Sequence, residues 1–191
     1  MHFGGYFSLK AVAIAGSPSA ASKSRQLLSH AVRRLVHEGV STVTVDLAEL
    51  PADDLLGRAS SAQTKMALAA VEAAQVLVVA TPVYRASYSG LLKTFFDLLP
   101  PNALGGKVAI AVASGGGPGH QLVLDHALRP LLQSVGALVV ATGVYATDSQ
   151  FGADGPEASL IERLDRAVLE ALALASATSA MSSNFPSHLR S

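Results

Sequence analysis

Residues 10–25 read Lys10-Ala11-Val12-Ala13-Ile14-Ala15-Gly16-Ser17-Pro18-Ser19-Ala20-Ala21-Ser22-Lys23-Ser24-Arg25. An unbroken apolar run, Lys10 to Ala15, stops on Gly16 and Pro18, and a hydroxyl-rich turn leads into the stretch Ser24 to Glu38. There Leu27, Leu28, Ala31, Leu35 and Val36 gather on one face of a helix. Strand, tight loop and helix make the opening of a β-α unit. Continuous rather than alternating apolarity predicts a strand covered on both faces, as in a parallel sheet.

The same unit recurs along the chain. Thr42 to Val45, Val76 to Thr81, Lys107 to Ala113 and Leu138 to Val144 read as further strands. Ala62 to Ala74, Ser89 to Leu99, Gln121 to Val135 and Ser159 to about Ala175 read as helices, and in the stretch from Gln121 the residues Leu124, Leu128, Leu131, Leu132 and Val135 share a face. Five β-α units joined by right-handed crossovers predict a doubly wound, three-layer α/β fold. Its five-stranded parallel sheet takes the order 2-1-3-4-5, the simplest for this count, with helices on both faces, which sets a ligand-binding switch point between strands one and three. No internal repeat or composition shift marks a linker, so residues 1–191 read as one domain, with Met1 to Ser8 and Ser176 to Ser191 as serine-rich, aperiodic tails.

Composition narrows the partners. Half of the 191 residues are apolar, enough for a substantial core, but only 15% are charged, well below the roughly 25% usual for soluble domains. That shortage predicts an oligomer. Fourteen basic residues against fourteen acidic ones leave no stripe for nucleic acid and no acidic docking surface of the kind electron carriers use. No apolar run approaches the ~20 residues of a membrane span. The first residues lack a basic leader, and the apolar stretch Ala11 to Ala15 is cut short by Gly16 and Pro18, which predicts a cytoplasmic protein. With no cysteine there is no disulfide, thiolate nucleophile or Cys-based metal site, and the six histidines are scattered, so no metal is expected.

The chemistry then lies in the loops. After strand one, helix-terminal amides, the positive end of the helix dipole and the hydroxyls of Ser17, Ser22 and Ser24 can together hold a phosphate, with Lys23 or Arg25 adding charge. There is no Gly-Lys-Ser/Thr and no G-x-G-x-x-G, so a monophosphate suits the loop better than a pyrophosphate. Helix capping is the alternative role for Ser22 or Ser24. After strand three, Pro82 holds a turn that leaves the amides of Val83, Tyr84 and Arg85 free for a flat heterocycle, with Tyr84 against its edge or face. Tyr84 and Tyr88 serve equally well as a stacked pair at a helix start or a subunit contact. After strand four, Ser114-Gly115-Gly116-Gly117 removes three side chains, so the backbone can approach a ligand closely and take positive φ angles, or simply form a flexible connection. After strand five, Thr147-Asp148-Ser149-Gln150 stands at the mouth of the crevice.

Taken in order, Gly16-Ser17-Pro18 with Ser22 and Ser24, Thr81-Pro82-Val83-Tyr84 through Ser87-Tyr88-Ser89-Gly90-Leu91-Leu92-Lys93-Thr94, Ser114-Gly115-Gly116 and Asp148-Ser149-Gln150 resemble the NAD(P)H-dependent FMN reductases. The nearest branch is similar to the small flavin reductases of two-component alkanesulfonate monooxygenase systems, and the resemblance spans about Ala11 to Ala171. It implies a flavodoxin-like fold, FMN bound by Ser17, Ser22, Lys23, Ser24, Pro82, Val83, Tyr84, Arg85, Ser114, Gly115, Gly116 and Gly117, and a homodimer or homotetramer. It also implies hydride transfer from NAD(P)H to flavin N5, with reduced flavin passing to a partner flavin-dependent monooxygenase. Since that chemistry belongs to the cofactor, the residues take binding roles and none is assigned as catalytic.

Two positions depart from the family pattern. Ser19 stands where the family often carries an arginine, which leaves Lys23 or Arg25 to neutralise the phosphate. His126 aligns with a tyrosine that the sulfonate branch often carries in a π-type bulge of the fourth helix, at the oligomer interface. The rival activities are an FMN-bound NAD(P)H:quinone or azo reductase and a flavodoxin-like electron carrier.

Overall fold

The computed structural model describes residues 9–184, with side chains described as far as residue 179. The expected tail at residues 1–8 lies outside the described residues. In chain order the first elements are β1 (Lys10–Ala15), α1 (Lys23–His37), β2 (Ser41–Asp46), α2 (Ala52–Leu55), α3 (Ala62–Ala73), β3 (Val76–Pro82), α4 (Gly90–Phe96) and β4 (Val108–Gly115). A composite helix follows, ending in α5 (Arg129–Ser134). After it come β5 (Leu138–Val139), β6 (Val144–Thr147), the hairpin β7 (Phe151–Gly152) and β8 (Gly155–Pro156), and α6 (Ala158–Asn184).

The strands pair in parallel in the order β2-β1-β3-β4-β5, with β6 also on β4. The doubly wound, flavodoxin-like order expected from the sequence is therefore the one found. Alternate residues of each strand supply two cores. Ala11, Ala13 and Ala15 of β1 join Val76, Val78, Val108 and Ile110 beneath Leu27, Leu28 and Leu35 of α1 and Leu164, Val168 and Leu172 of α6. Val12 and Ile14 join Leu77, Val79, Ala109 and Ala111 against Val71 of α3, Phe95 of α4 and Leu132 of α5. Such double coverage explains why these strands carry no polar alternation.

Three expectations are corrected. The fifth strand is not continuous from Leu138 to Val144. Between its pairings with Leu138 and Val144, β4 advances four residues, from Val108 to Val112, while the edge advances six, so the surplus backbone at residues 140–143 leaves the ladder. Side chains satisfy that backbone. Arg129 donates to the carbonyls of Val140 (2.6 Å) and Ala141 (2.7 Å), Arg163 donates to Gly143 (2.7 Å), and Glu170 accepts from the amides of Ala141 (2.7 Å) and Thr142 (3.1 Å).

Nor is the stretch from Gln121 to Val135 one helix. It runs as a 3-10 turn at Pro118–Leu122, a π segment at Leu124–Leu128 that contains His126, and then α5. Pro130 is the cause, because it has no N–H to give the His126 carbonyl four residues back. The Arg129 amide reaches five residues back to Leu124 instead. Finally, α6 continues to Asn184, so residues 176–184 are helical and not tail. Among the described residues, no helix is long and apolar enough to cross a membrane.

Candidate functional site

The loops that leave the carboxyl ends of β1, β3, β4 and β6 lie side by side, because those strands are in register: Ala15 pairs with Ala80, Pro82 with Ser114, and Gly115 with Thr147. The serine loop is stapled to its neighbour. Gly16 donates to the Ala80 carbonyl at 2.8 Å, and a Cβ at Gly16 would stand 3.1 Å from that oxygen and from Leu92. The Ser89 hydroxyl caps α4 by accepting from the Leu92 amide (3.1 Å) and donates to the Gly16 carbonyl, while the Ser89 amide donates to Thr81 Oγ1 (3.0 Å). The loops after β1 and β3 thus move as one piece.

Ser17 is buried, its hydroxyl accepting from the Ser19 amide at 3.1 Å. Ser22 occupies the N-cap position of α1 yet makes no side-chain cap. Its Oγ lies 2.7 Å from Ser24 Oγ, so the capping alternative for Ser22 gives way to a hydroxyl pair. The amides of Lys23 and Ser24 donate to no protein acceptor among the described residues, as the first turn of a helix requires. No acidic side chain occupies that turn.

Arg25 is not available to a ligand. Its guanidinium forks onto the Asp46 carboxylate at the end of β2, with Nη2 to Oδ1 at 2.9 Å, and Nη2 also donates to the Ser17 carbonyl at 3.3 Å. The hydrogen bond from Arg25 holds the Asp46 carboxyl below its ordinary value. Of the two cations expected at the phosphate, only Lys23 faces the mouth of the site. Lys23 pairs with Asp148 at 2.8 Å and lies over the Phe151 ring, 5.4 Å from its centroid.

In the second loop, two of the amides expected to be free are committed. Val83 donates to the Ser114 carbonyl (2.7 Å) and Tyr84 to the Ser87 carbonyl (2.8 Å), while the Ser87 amide returns to Tyr84 (3.0 Å). A tight two-residue hairpin results, with Arg85 and Ala86 at its tip at φ of 50° and 62°. Pairing to β4 claims the first amide and the hairpin claims the second. Pro82 is buried, Tyr84 is 47% exposed and Arg85 is exposed, whereas Tyr88 packs against the core. The two tyrosines therefore part company, with only Tyr84 facing outward.

The glycine loop differs from expectation in its reason for being glycine. None of Gly115, Gly116 and Gly117 has a positive φ, and Gly117 is extended at −150°. Gly115 is required by space, since a Cβ there would meet the Tyr145 hydroxyl at 2.7 Å and Val83 Cβ at 3.2 Å. Ser114 beside it is buried, paired between Pro82 and Ala146. Asp148 Oδ2 lies 3.8 Å from the Cβ position of Gly116, so Asp148 spans from the glycine loop to Lys23.

Sequence reading missed Ser89 and Tyr145 as supports of the site. Ser89 had a signal, a serine just ahead of Gly90-Leu91-Leu92 at a helix start. Tyr145 had none, because its partner Gly117 is 28 residues away.

Known proteins match this chain over most of its length. The model of the NADPH-dependent FMN reductase family matches residues 9–152. The chain is 40% identical over 164 residues to "FMN reductase (NADPH)" of Pseudomonas putida, covering 84% of this chain and 83% of that protein. It is 39% identical over 147 residues to "NADH-dependent FMN reductase SfnF" of Pseudomonas fluorescens, covering 75% and 79%. Among solved structures, the apo form of NADH:FMN oxidoreductase (EMOB) superposes with a TM-score of 0.81 at 38% identity, over 86% of this chain and 89% of that one. The family match over residues 9–152, together with a relative 40% identical over most of both chains, places the chain in the NADPH-dependent FMN reductase family.

Proposed function

We propose that the chain catalyses NAD(P)H-dependent reduction of FMN. The observation that carries this reading is the Ser22–Ser24 hydroxyl pair at the start of α1, beside two amides without protein acceptors and at the switch point of the sheet. The residues present fit the group. Ser17, Ser22 and Ser24 would hold its phosphate, with Lys23 supplying the charge. Pro82, Val83, Tyr84 and Arg85 on one side and Ser114, Gly115, Gly116 and Gly117 on the other would hold its ring.

FMN, when bound, supplies the ring nitrogen N5 that accepts a hydride from the nicotinamide. No acid or base of the chain is needed for that step, and the chain's work is orientation. The stapled Ser89–Gly16 contact fixes the two loops that would hold the phosphate and the ring of the flavin. Exposure of Tyr84 and Arg85 keeps the ring side open for nicotinamide to enter and flavin to leave.

From that openness and the similarity to the sulfonate branch, we further propose that reduced flavin is supplied to a partner monooxygenase. Low charge content and the exposed Leu122 (61%) and Leu138 (49%) support assembly as a homodimer or homotetramer. The proposal places the enzyme in the cytoplasm, with its nicotinamide supply, and treats the chain as one catalytic unit.

Oxidation of NADH and of NADPH followed with FMN, FAD and riboflavin in turn tests the reaction. Replacing Ser22 and Ser24 together with Ala tests the phosphate site. Two lost hydrogen bonds to a charged group, ~1.5 kcal/mol each, amount to roughly a hundredfold loss of FMN affinity with little loss of fold. Unchanged affinity in a fluorescence titration would remove the assignment.

A further inference from the structure

Tyr145 projects from β6 against the underside of the glycine loop. Its hydroxyl donates to the Gly117 carbonyl at 2.6 Å, and the same oxygen fills the space that a Cβ on Gly115 would need. The Gly117 carbonyl also accepts from the His120 amide at 3.2 Å. It belongs to the peptide bond before Pro118, so that unit offers a ligand an acceptor and no N–H. With the carbonyl engaged, the amides of Gly116 and Gly117 are what the loop has left to donate, and neither has a protein acceptor among the described residues.

Beside the phenol lies a cavity of about 450 Å³ lined by Gln121, Leu124, Thr147, Gln150 and Arg163, among others. On this side the loop is therefore held by a hydrogen bond more than by packed side chains. Burial, with Asp148 nearby, pushes the phenol above its ordinary value, so it stays a donor at neutral pH.

We propose that Tyr145 is the positioning residue of the glycine loop: it ties the Gly117 carbonyl back toward β6 and so presents the Gly116 and Gly117 amides to the flavin ring. The inference rests on the flavin reading above. It adds a residue that would act through the loop, setting the electrostatic sign of the surface the loop turns to the ring. Amides in that place favour the electron-rich ring that reduction produces, whereas a carbonyl turned toward the ring would oppose it.

The test uses the full-length wild type, Tyr145→Phe, Gly115→Ala and the double variant, titrated with FMN and with riboflavin by flavin fluorescence and followed by thermal unfolding. Tyr145→Phe is expected to raise both dissociation constants by the same factor, about tenfold for one lost hydrogen bond, because the defect lies at the ring end. The FMN-to-riboflavin ratio then stays at its wild-type value, whereas Ser22 and Ser24 variants change it. Gly115→Ala is expected to cost more in the wild type than in the Tyr145→Phe background, where the 2.7 Å collision with the hydroxyl is gone. A tyrosine with only a structural role would lower the melting temperature and leave the affinities alone. Wild-type affinities in Tyr145→Phe, with an equal Gly115→Ala penalty in both backgrounds, would overturn the proposal while the flavin reading stood. Absence of saturable FMN binding by the wild type would overturn both.

Discussion

Arg25 is bound to Asp46 by a two-pronged ion pair that crosses from the first turn of α1 to the end of β2, and the same guanidinium holds the Ser17 carbonyl. A cation placed by sequence at a phosphate site thus serves as a tie for the loop that forms it. Asp46→Asn is expected to destabilise the fold by about 1–2 kcal/mol at pH 7, a typical loss for a hydrogen bond to a charged partner, and to weaken FMN binding by loosening Ser17. The pH dependence has a definite sign. Asp46 has a lowered value in the fold, so the folded state binds fewer protons than the unfolded one between that value and the ordinary carboxylate range. The pair's stability is complete above about pH 4–5 and is lost as pH falls through the folded value. Urea titrations from pH 7 down to pH 3 should show a shallower acid-side loss for Asp46→Asn than for the wild type.

Lys23, at the start of α1, pairs with the Asp148 carboxylate at 2.8 Å and donates to the Asp148 carbonyl at 3.2 Å. Asp148→Asn removes the competitor and should tighten FMN binding by about threefold, within the ~0–1 kcal/mol range of exposed pairs. The gain should shrink between 50 and 500 mM salt, as screening shortens the reach of Lys23. Fluorescence titration at the two salt concentrations reads both effects, and thermal unfolding should scarcely change.

Ala86 sits at φ 62°, in the left-handed region. That conformation costs an alanine about 1–2 kcal/mol, against about 0.5–1 kcal/mol of extra chain entropy lost by a glycine. Ala86→Gly should therefore stabilise the protein by about 0.5 kcal/mol in chemical denaturation. Its FMN affinity should match the wild type, because the turn keeps its shape.

Glu170 accepts two backbone amides, those of Ala141 and Thr142, where the sheet edge is broken. Burial alone would raise its carboxyl, but the Thr142 hydroxyl, the two amides and Arg129 together bring it below its ordinary value. Glu170→Ala should lower stability by about 1–2 kcal/mol, the cost of leaving such donors unpaired. Glu162→Ala on an exposed turn of the same helix is the control expected to stay within ±0.5 kcal/mol.

The fold was legible because its signal is local. An apolar run such as Val76 to Ala80 has one stable use, a strand buried on both faces, and counting such runs yields the sheet order. The positions of Ser17, Ser22, Ser24, Pro82 and Ser114 followed from that order, since each stands at or just beyond a strand's carboxyl end. The hydrogen-bond commitments could not be read. Nothing in Val83 says that its amide belongs to Ser114, and nothing in Arg25 says that it faces Asp46 rather than a phosphate, because both partners come from another strand. Pro130 did carry a legible warning against an unbroken helix from Gln121 to Val135, since a proline that far into a helix must free a carbonyl. The break between Leu138 and Val144 was hidden, because Ala137 to Val140 and Val144 are as apolar as a continuous strand would be.

That break also bears on how a chain with so few charges avoids open-ended association at this edge of its sheet. An uninterrupted strand on the outside of a sheet is a template onto which another molecule can add its own, and apolar strands aggregate by that route. Here the outer row is divided into a two-residue piece and a four-residue piece. The backbone between them is already claimed by Arg129, Arg163 and Glu170. The three charged side chains thus close this edge of the sheet to an added strand.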